Sequence, residues 1–266
     1  LQAVARNPLA DPFIFGVSYG ATVGAVLVLT LGAGTLAGTL GELSLAVAAF
    51  IGALIAMLLV YLLAQQQGRV TPWRLVLAGV ALSYFLSSII SYLVLRASQP
   101  GNNSISLVLS WLAGSLGRAK WEQLGLPAIV VVLLTGYLIL QSRQLNALLM
   151  GDESAVGLGV NVERFRIQLF VITSLMVGVV VAISGAIGFV GLMVPHIVRM
   201  AVGSDHRRVL PIAALGGGLF LVLVDLIGRV VVAPEELPVG IVTAAFGGPF
   251  FLWLLRHRST FGGDLQ

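Results

Sequence analysis

An all-α, polytopic transmembrane helix bundle is the fold class the sequence predicts, and two observations carry that reading. Hydrophobic residues make up 58% of the chain and charged residues 10%, with a mean hydropathy of +1.02. A water-soluble domain carries about 25% charged residues, because its surface has to be solvated. The apolar runs are also long and unbroken. A barrel strand would alternate over about ten residues, so these runs read as helices. Without cysteine, structural disulfides and thiolate metal sites are excluded. The net charge of +4 reflects arginines retained in loops; there is one lysine, Lys120, and no basic run that would suit a nucleic acid.

In chain order, "LQAVARNPLADP" reads as the tail of a hydrophobic element followed by a polar turn, which implies that residues upstream are absent. Runs of spanning length then fall at 13–31, 43–64, 74–95, 124–140, 167–187, 210–232 and 239–255. Residues 96–123 include "SISLVLSWLAGSL", too short to span; they predict an external helix at the membrane surface, with Trp111 and Trp121 as interfacial anchors. Residues 188–203, "GFVGLMVPHIVRMAVG", are ambiguous, because they are short and contain Pro195, His196 and Arg199.

Charge resolves the ambiguity. If 188–203 crosses, one side receives Arg6, Arg69, Arg74, Arg143, Arg164, Arg166, Arg207, Arg208, Arg256 and Arg258, and the other only Arg96, Arg118 and Lys120. Ten cations against three is a clear positive-inside bias; without the crossing the balance falls to six against seven. The prediction is therefore about eight spans in one transmembrane domain over 1–266, with the C-terminus and the segment 151–166 cytoplasmic. The 32 glycines, many inside spans, allow close helix approach. "RNPLADPFIFGVSYGATVGAVLVL" and "MVPHIVRMAVGSDHRRVLPIAALGGGLFLVL" share a proline break, a polar turn and a glycine-rich span. An internal repeat and chance likeness between glycine-rich spans both fit.

Catalytic chemistry is hard to find. A phosphate loop needs Gly-Lys, and the sole lysine follows Ala119, so any ATP must be bound by another subunit. His196, His206 and His257 are far apart in sequence; no metal site and no cofactor are expected in this chain. The ionisable groups inside spans are His196, Arg199, Asp225 and Arg229. Asp225 precedes Arg229 by four residues, the favourable order for a helical ion pair, so a proton relay is poorly supported. The segment "GDESAVGLGVNVERFR" (151–166) mixes Asp152, Glu153, Glu163, Arg164 and Arg166 with Ala155, Val156, Leu158, Val160 and Phe165. An apolar stripe with a charged rim suits a partner's groove; a solvated connector is the alternative.

"ISGAIGFVGLMVPHIVRMAVGSDHRRVLP", "APEELPVGIVTAAFGGPFFLWLLRHR", "RNPLADP" and "RLVLAGVAL" together resemble the FecCD-type permease family, in order and through nearly the whole chain. These are membrane subunits of type II ABC importers for iron-siderophores, haem and cobalamin. The resemblance implies a ten-span fold of which the first span and most of the second are missing here. It implies a permease dimer, homodimeric or heterodimeric, two ATP-binding subunits, and a periplasmic or lipid-anchored substrate-binding protein. The site is then the inner membrane, and the chain is not itself an enzyme. Two short helices in the 151–166 loop would meet the ATPase, with Gly151, Asp152, Glu153, Ala155, Leu158, Gly159 and Val160 as coupling residues. Arg229 would dock the binding protein, and Thr71 and Pro72 would form the cytoplasmic gate. Span 74–95 would line the path on a two-fold axis through Ser83, Ser87, Ser88 and Ser91, unless these pack helices. An iron chelate leads as cargo, with cobalamin as the alternative. His196 would serve as a hinge more readily than as a haem ligand. A stand-alone secondary transporter or channel, and a structural scaffold, are the readings from other classes.

Overall fold

A computed structural model describes residues 1–5, 7, 10–31, 37–66, 69–98, 105–117 and 119–261. Arg6 and Arg118 lie outside this set, as do the side chains of Glu42, Arg69, Pro72, His257 and Arg258. A short α1 (Gln2–Ala5) and a turn precede α2 (Val17–Leu31) and α3 (Ala37–Ala64). A two-residue hairpin, β1 (Gln65–Gln66) with β2 (Arg69–Val70), leads into α4 (Pro72–Ala97). Then follow α5 (Ile105–Leu112), α6 (Trp121–Leu140), α7 (Ser142–Leu149), α8 (Asp152–Gly157), α9 (Val162–Ser184), α10 (Val190–Val202), α11 (His206–Val230) and α12 (Val239–Phe261). Five helices are long and apolar enough to cross a membrane, and α2, α10 and α12 are shorter apolar helices. Each of the eight predicted spans has its helix.

The ambiguous stretch 188–203 does run from one end of the bundle to the other. α9 starts beside α8, where Arg166 bonds Asp152, and ends beside α5, where Ser115 N–H donates to Ser184 O at 2.8 Å. Its 23 residues rise about 35 Å. The chain then returns: Gly185 packs on the Trp111 carbonyl at the α5 end, and Asp205 meets Asn146 of α7 at the other. Helix α10 alone has 13 residues, about 20 Å, short of the roughly 30 Å hydrocarbon core. Non-helical residues at 185–189 and 203–205 complete the return. Hydropathy windows miss it because Pro195 and Arg199 sit inside a helix that is too short.

Small residues set the helix spacing. A Cβ on Gly24 would overlap the Ala48 carbonyl oxygen, and one on Gly52 would overlap that of Gly20. Beside them Ala21, Ala25, Ala49, Ala53 and Ala56 are fully or almost fully buried. α2 and α3 therefore touch backbone to backbone, where dispersion replaces the missing hydrophobic drive. α9 joins the same core. Gly178 abuts the Phe50 backbone, and the Tyr61 and Phe170 rings meet edge to face at 5.8 Å. Large apolar side chains such as Leu62, Leu133, Leu140 and Leu215 point outward, as lipid-facing residues do.

One expectation is corrected. Trp111 is not an interfacial anchor: it is buried with Val108, because α5 lays this face against α2 and α4. Trp121 is exposed, as expected.

Candidate functional site

At the end of the bundle where α3 meets α4 and α6 meets α9, the chain builds an outcrop from α7 and α8. The two short helices are present, with bounds that differ from the sequence reading. α7 lies before residue 151, and residues 162–166 already belong to α9. Gly151 (φ 117°) and Gly159 (φ 81°) form the corners on either side of α8, conformations that side-chain-bearing residues rarely adopt. Asn161 caps α9 by accepting the Arg164 N–H at 3.1 Å.

The tip is apolar: Met150, Val156 and Leu158 are 71%, 62% and 66% exposed, with Glu153 exposed among them. Two of the expected coupling residues are tied to the bundle. Ala155 is fully buried and roots α8 in the bundle. Asp152 stays 39% exposed at the rim, and both its oxygens accept from Arg166 Nη2, at 2.9 and 3.0 Å, while the Arg166 side chain is only 7% exposed. A buried guanidinium must be paired, and the carboxylate within reach is drawn inward. Val160 is half-buried. Met150 and Val156 were not selected from sequence, although their apolar side chains beside glycine corners were visible.

A second attachment holds α7. Asn146 Nδ2 donates to Asp205 Oδ1 at 2.7 Å, and Asn146 Oδ1 accepts the His206 N–H at 3.0 Å. His206 Nδ1 lies 2.7 Å from the same oxygen, which fits a proton on Nδ1. Asp205 is also the N-cap of α11. The Arg207 backbone N–H, then Asn146, hold its carboxyl below the usual carboxylate range, and the charges of Arg207 and Arg208 add to this. The cap was not picked out from sequence, although Asp205 directly before an apolar run is the signal for one; nothing in the sequence pairs it with Asn146.

Thr71 and Pro72 stand at the start of α4, Thr71 as the extended N-cap and Pro72 in the first turn, where a missing N–H costs nothing. Thr71 is exposed and borders an open groove of about 1010 Å³ whose other wall is Gly151–Val156 with Arg166. The structure thus brings the expected gate and coupling segments to one groove.

The serines of α4 divide. Ser83 is buried and donates to Gly79 O (2.8 Å) and Phe13 O (2.9 Å), so it packs α4 against the turn before α2. Ser87 is half-buried, and Ser91 is exposed beside Tyr84, Ser88 and Tyr92. Ser91 donates to Ser87 O at 3.0 Å, which satisfies the hydroxyl within the helix. The half-buried His196 ring packs edge-on to Phe250 at 6.0 Å. Among the described residues no cluster of His, Cys, Asp or Glu could hold a metal ion.

At the opposite end, Arg229 Nε bonds Asp225 Oδ2 at 2.8 Å, and its Nη1 lies 3.6 Å from Glu236. The helical pair is formed as its spacing predicts. Even so, the arginine side chain remains 43% exposed, beside the Gly117 backbone.

Five helices long and apolar enough to span a membrane, three shorter apolar helices and a rooted outcrop with an apolar tip describe a multi-pass membrane protein. The chain belongs to the FecCD transport family, whose model matches residues 1–257. It is 43% identical to the cobalamin import system permease protein BtuC of Halobacterium salinarum, over 97% of this chain and 67% of that protein. It is 42% identical to the hemin transport system permease protein HmuU of Yersinia pestis, over 99% and 78%. It is 40% identical to the Fe(3+)-citrate import system permease protein YfmD of Bacillus subtilis, over 96% and 73%. A metal-chelate type ABC transporter solved in an inward-facing conformation superposes with a TM-score of 0.83 at 30% identity, over 96% of this chain and 79% of that one.

Proposed function

We propose that this chain is the permease subunit of an ATP-driven importer that passes an iron chelate, a siderophore complex or haem, from a substrate-binding protein to the cytoplasm. The observation that carries the reading is the outcrop. Its tip exposes Met150, Val156 and Leu158 to water, while Ala155 is buried, Asp152 bonds Arg166 of α9 and Asn146 bonds Asp205 at the start of α11. An apolar knob on a short helix, held rigidly at its base, fits a partner's groove and transmits force. The partner is one of two ATP-binding subunits, which hydrolyse ATP in place of this chain. A second permease copy completes the path, with Ser87 and Ser91 on its lining face. Thr71 and Pro72 close its cytoplasmic end. The outcrop and the C-terminus lie in the cytoplasm, beneath the inner membrane.

Arg229 is the docking point for the binding protein, with Glu236 and Asp225 holding the guanidinium at the outer surface. Arg229→Glu should lower binding-protein affinity about tenfold or more, as expected when a charge pair becomes a like-charge contact. Surface plasmon resonance on permease–ATPase complexes in nanodiscs measures it, and unchanged affinity would remove the docking role.

Cobalamin is the second reading, favoured by the 43% identity to the Halobacterium salinarum protein. Cargo is assigned by titrating the partner binding protein with ferric siderophores, haemin and cobalamin. The tightest ligand names the class.

A further inference from the structure

The outcrop meets the gate turn only across an open groove. Between Gly151–Val156 on one wall and Val70–Thr71 on the other lie about 1010 Å³ of unfilled space. A push on α8 therefore has to reach the gate by another route. Helix α8 is six residues long and hangs between two glycine corners, Gly151 and Gly159. Such a segment swings as a flap unless something ties it. Besides the buried Ala155 and the packing of α8 on α7, the polar tie to α9 is the Asp152 carboxylate, both of whose oxygens accept from Arg166 Nη2. Beyond Arg166 the path is packed. On the same end of α9, Glu163 accepts from Tyr61 Oη of α3 at 3.4 Å, and Phe170 sits edge-on to the Tyr61 ring. Helix α3 runs directly into the hairpin that ends at Thr71.

We propose that Asp152 and Arg166 are positioning residues that make α8 move as one body with α9, so that a displacement of the ATPase-facing outcrop reaches the gate turn through α9 and α3. This rests on the reading of α7–α8 as the ATPase docking element, and goes beyond it by naming the pair that transmits the motion. The pair does not touch cargo or nucleotide. A buried arginine is a costly choice for mere stability, because an apolar pair of similar volume often serves as well or better. A charge-assisted contact in which one guanidinium nitrogen is shared between both carboxylate oxygens holds the two groups at a set distance, which an apolar contact does not.

The chain has no cysteine, so the exposed Ser154→Cys on α8, outside the docking tip, and Arg164→Cys on α9 provide a unique pair of spin-label sites. In the chain carrying these labels, the α8–α9 distance distribution should be narrow, and it should stay narrow when ATPase subunits and ATP are added. Asp152→Asn and Arg166→Met should each broaden it. In proteoliposomes holding the full complex, each should cut cargo taken up per ATP hydrolysed about tenfold, with haemin, ferric citrate and cobalamin as probes and ATPase co-purification retained. The double variant should lose no more than either single one, and Asp152→Glu should keep near-normal coupling. If Arg166→Met does not fold, Asp152→Asn, which preserves volume, carries the test. A narrow distribution with normal coupling in Asp152→Asn, or additive losses in the double variant, would overturn the proposal. Failure of the unsubstituted chain to bind ATPase subunits would instead remove the docking reading beneath it; the distances in the permease alone still judge the tie.

Discussion

Val156→Asp combined with Leu158→Asp is expected to strip the ATPase subunits from the permease while the helix bundle stays folded. Both side chains are more than three-fifths exposed, so little packing within the chain is lost. Burying each in a partner's groove contributes about 1.5–3 kcal/mol. Removing both costs about 3–6 kcal/mol, and two carboxylates forced into an apolar groove add a desolvation penalty. The affinity loss is therefore about a hundredfold or more. Size-exclusion chromatography of the co-expressed subunits measures it. A complex of normal stability would show that the partner grips elsewhere. Glu153→Arg, a rim change, should have a much smaller effect and mainly slow association.

Gly24→Leu is expected to prevent the bundle from assembling. A Cβ at this position overlaps the carbonyl oxygen of Ala48, which is backbone and cannot rotate away. Relief requires α2 and α3 to move apart along their whole contact, including Gly20 against Gly52. Ordinary overpacking costs about 1–3 kcal/mol; separating two backbones in contact should exceed the top of that range. The expected readout is an aggregated rather than monodisperse elution profile in detergent. By contrast, Gly136→Leu, on an outward face of α6 with no neighbour within 4 Å, should elute normally. Equal profiles for the two variants would contradict the close-packed α2–α3 interface.

These cases show which parts of the fold were legible in the sequence. Long apolar runs gave the seven evident spans, since bilayer thickness fixes helix length directly. The eighth, α10, was legible only through arginine balance, because its 13 helical residues are too few for a hydropathy signal. Glycine content announced close packing but not its partners; that Gly24 meets Ala48 depends on tertiary placement. At the outcrop the segment was legible, but not which of its residues are buried and which exposed. The pairing of Asp152 was hidden because nothing in a linear pattern shows that Arg166, fourteen residues on, is buried and needs a counter-ion. That Ala155 is buried while Val156 and Leu158 are exposed was not legible, because a helix of six residues has too few turns to display a face. Asn146 and Asp205 lie fifty-nine residues apart and meet only when α10 has crossed back. The pair Asp225–Arg229 was legible because it is local, one helical turn apart.

The division of labour between this chain and an external ATPase is tested most directly by uptake into proteoliposomes, with haemin, ferric citrate and cobalamin each supplied on the binding protein. Accumulation of one of them is expected only when the permease, its ATPase subunits and ATP are all present, and it should stop with a non-hydrolysable analogue. Accumulation driven by the permease alone, without nucleotide or under an ion gradient, would contradict it.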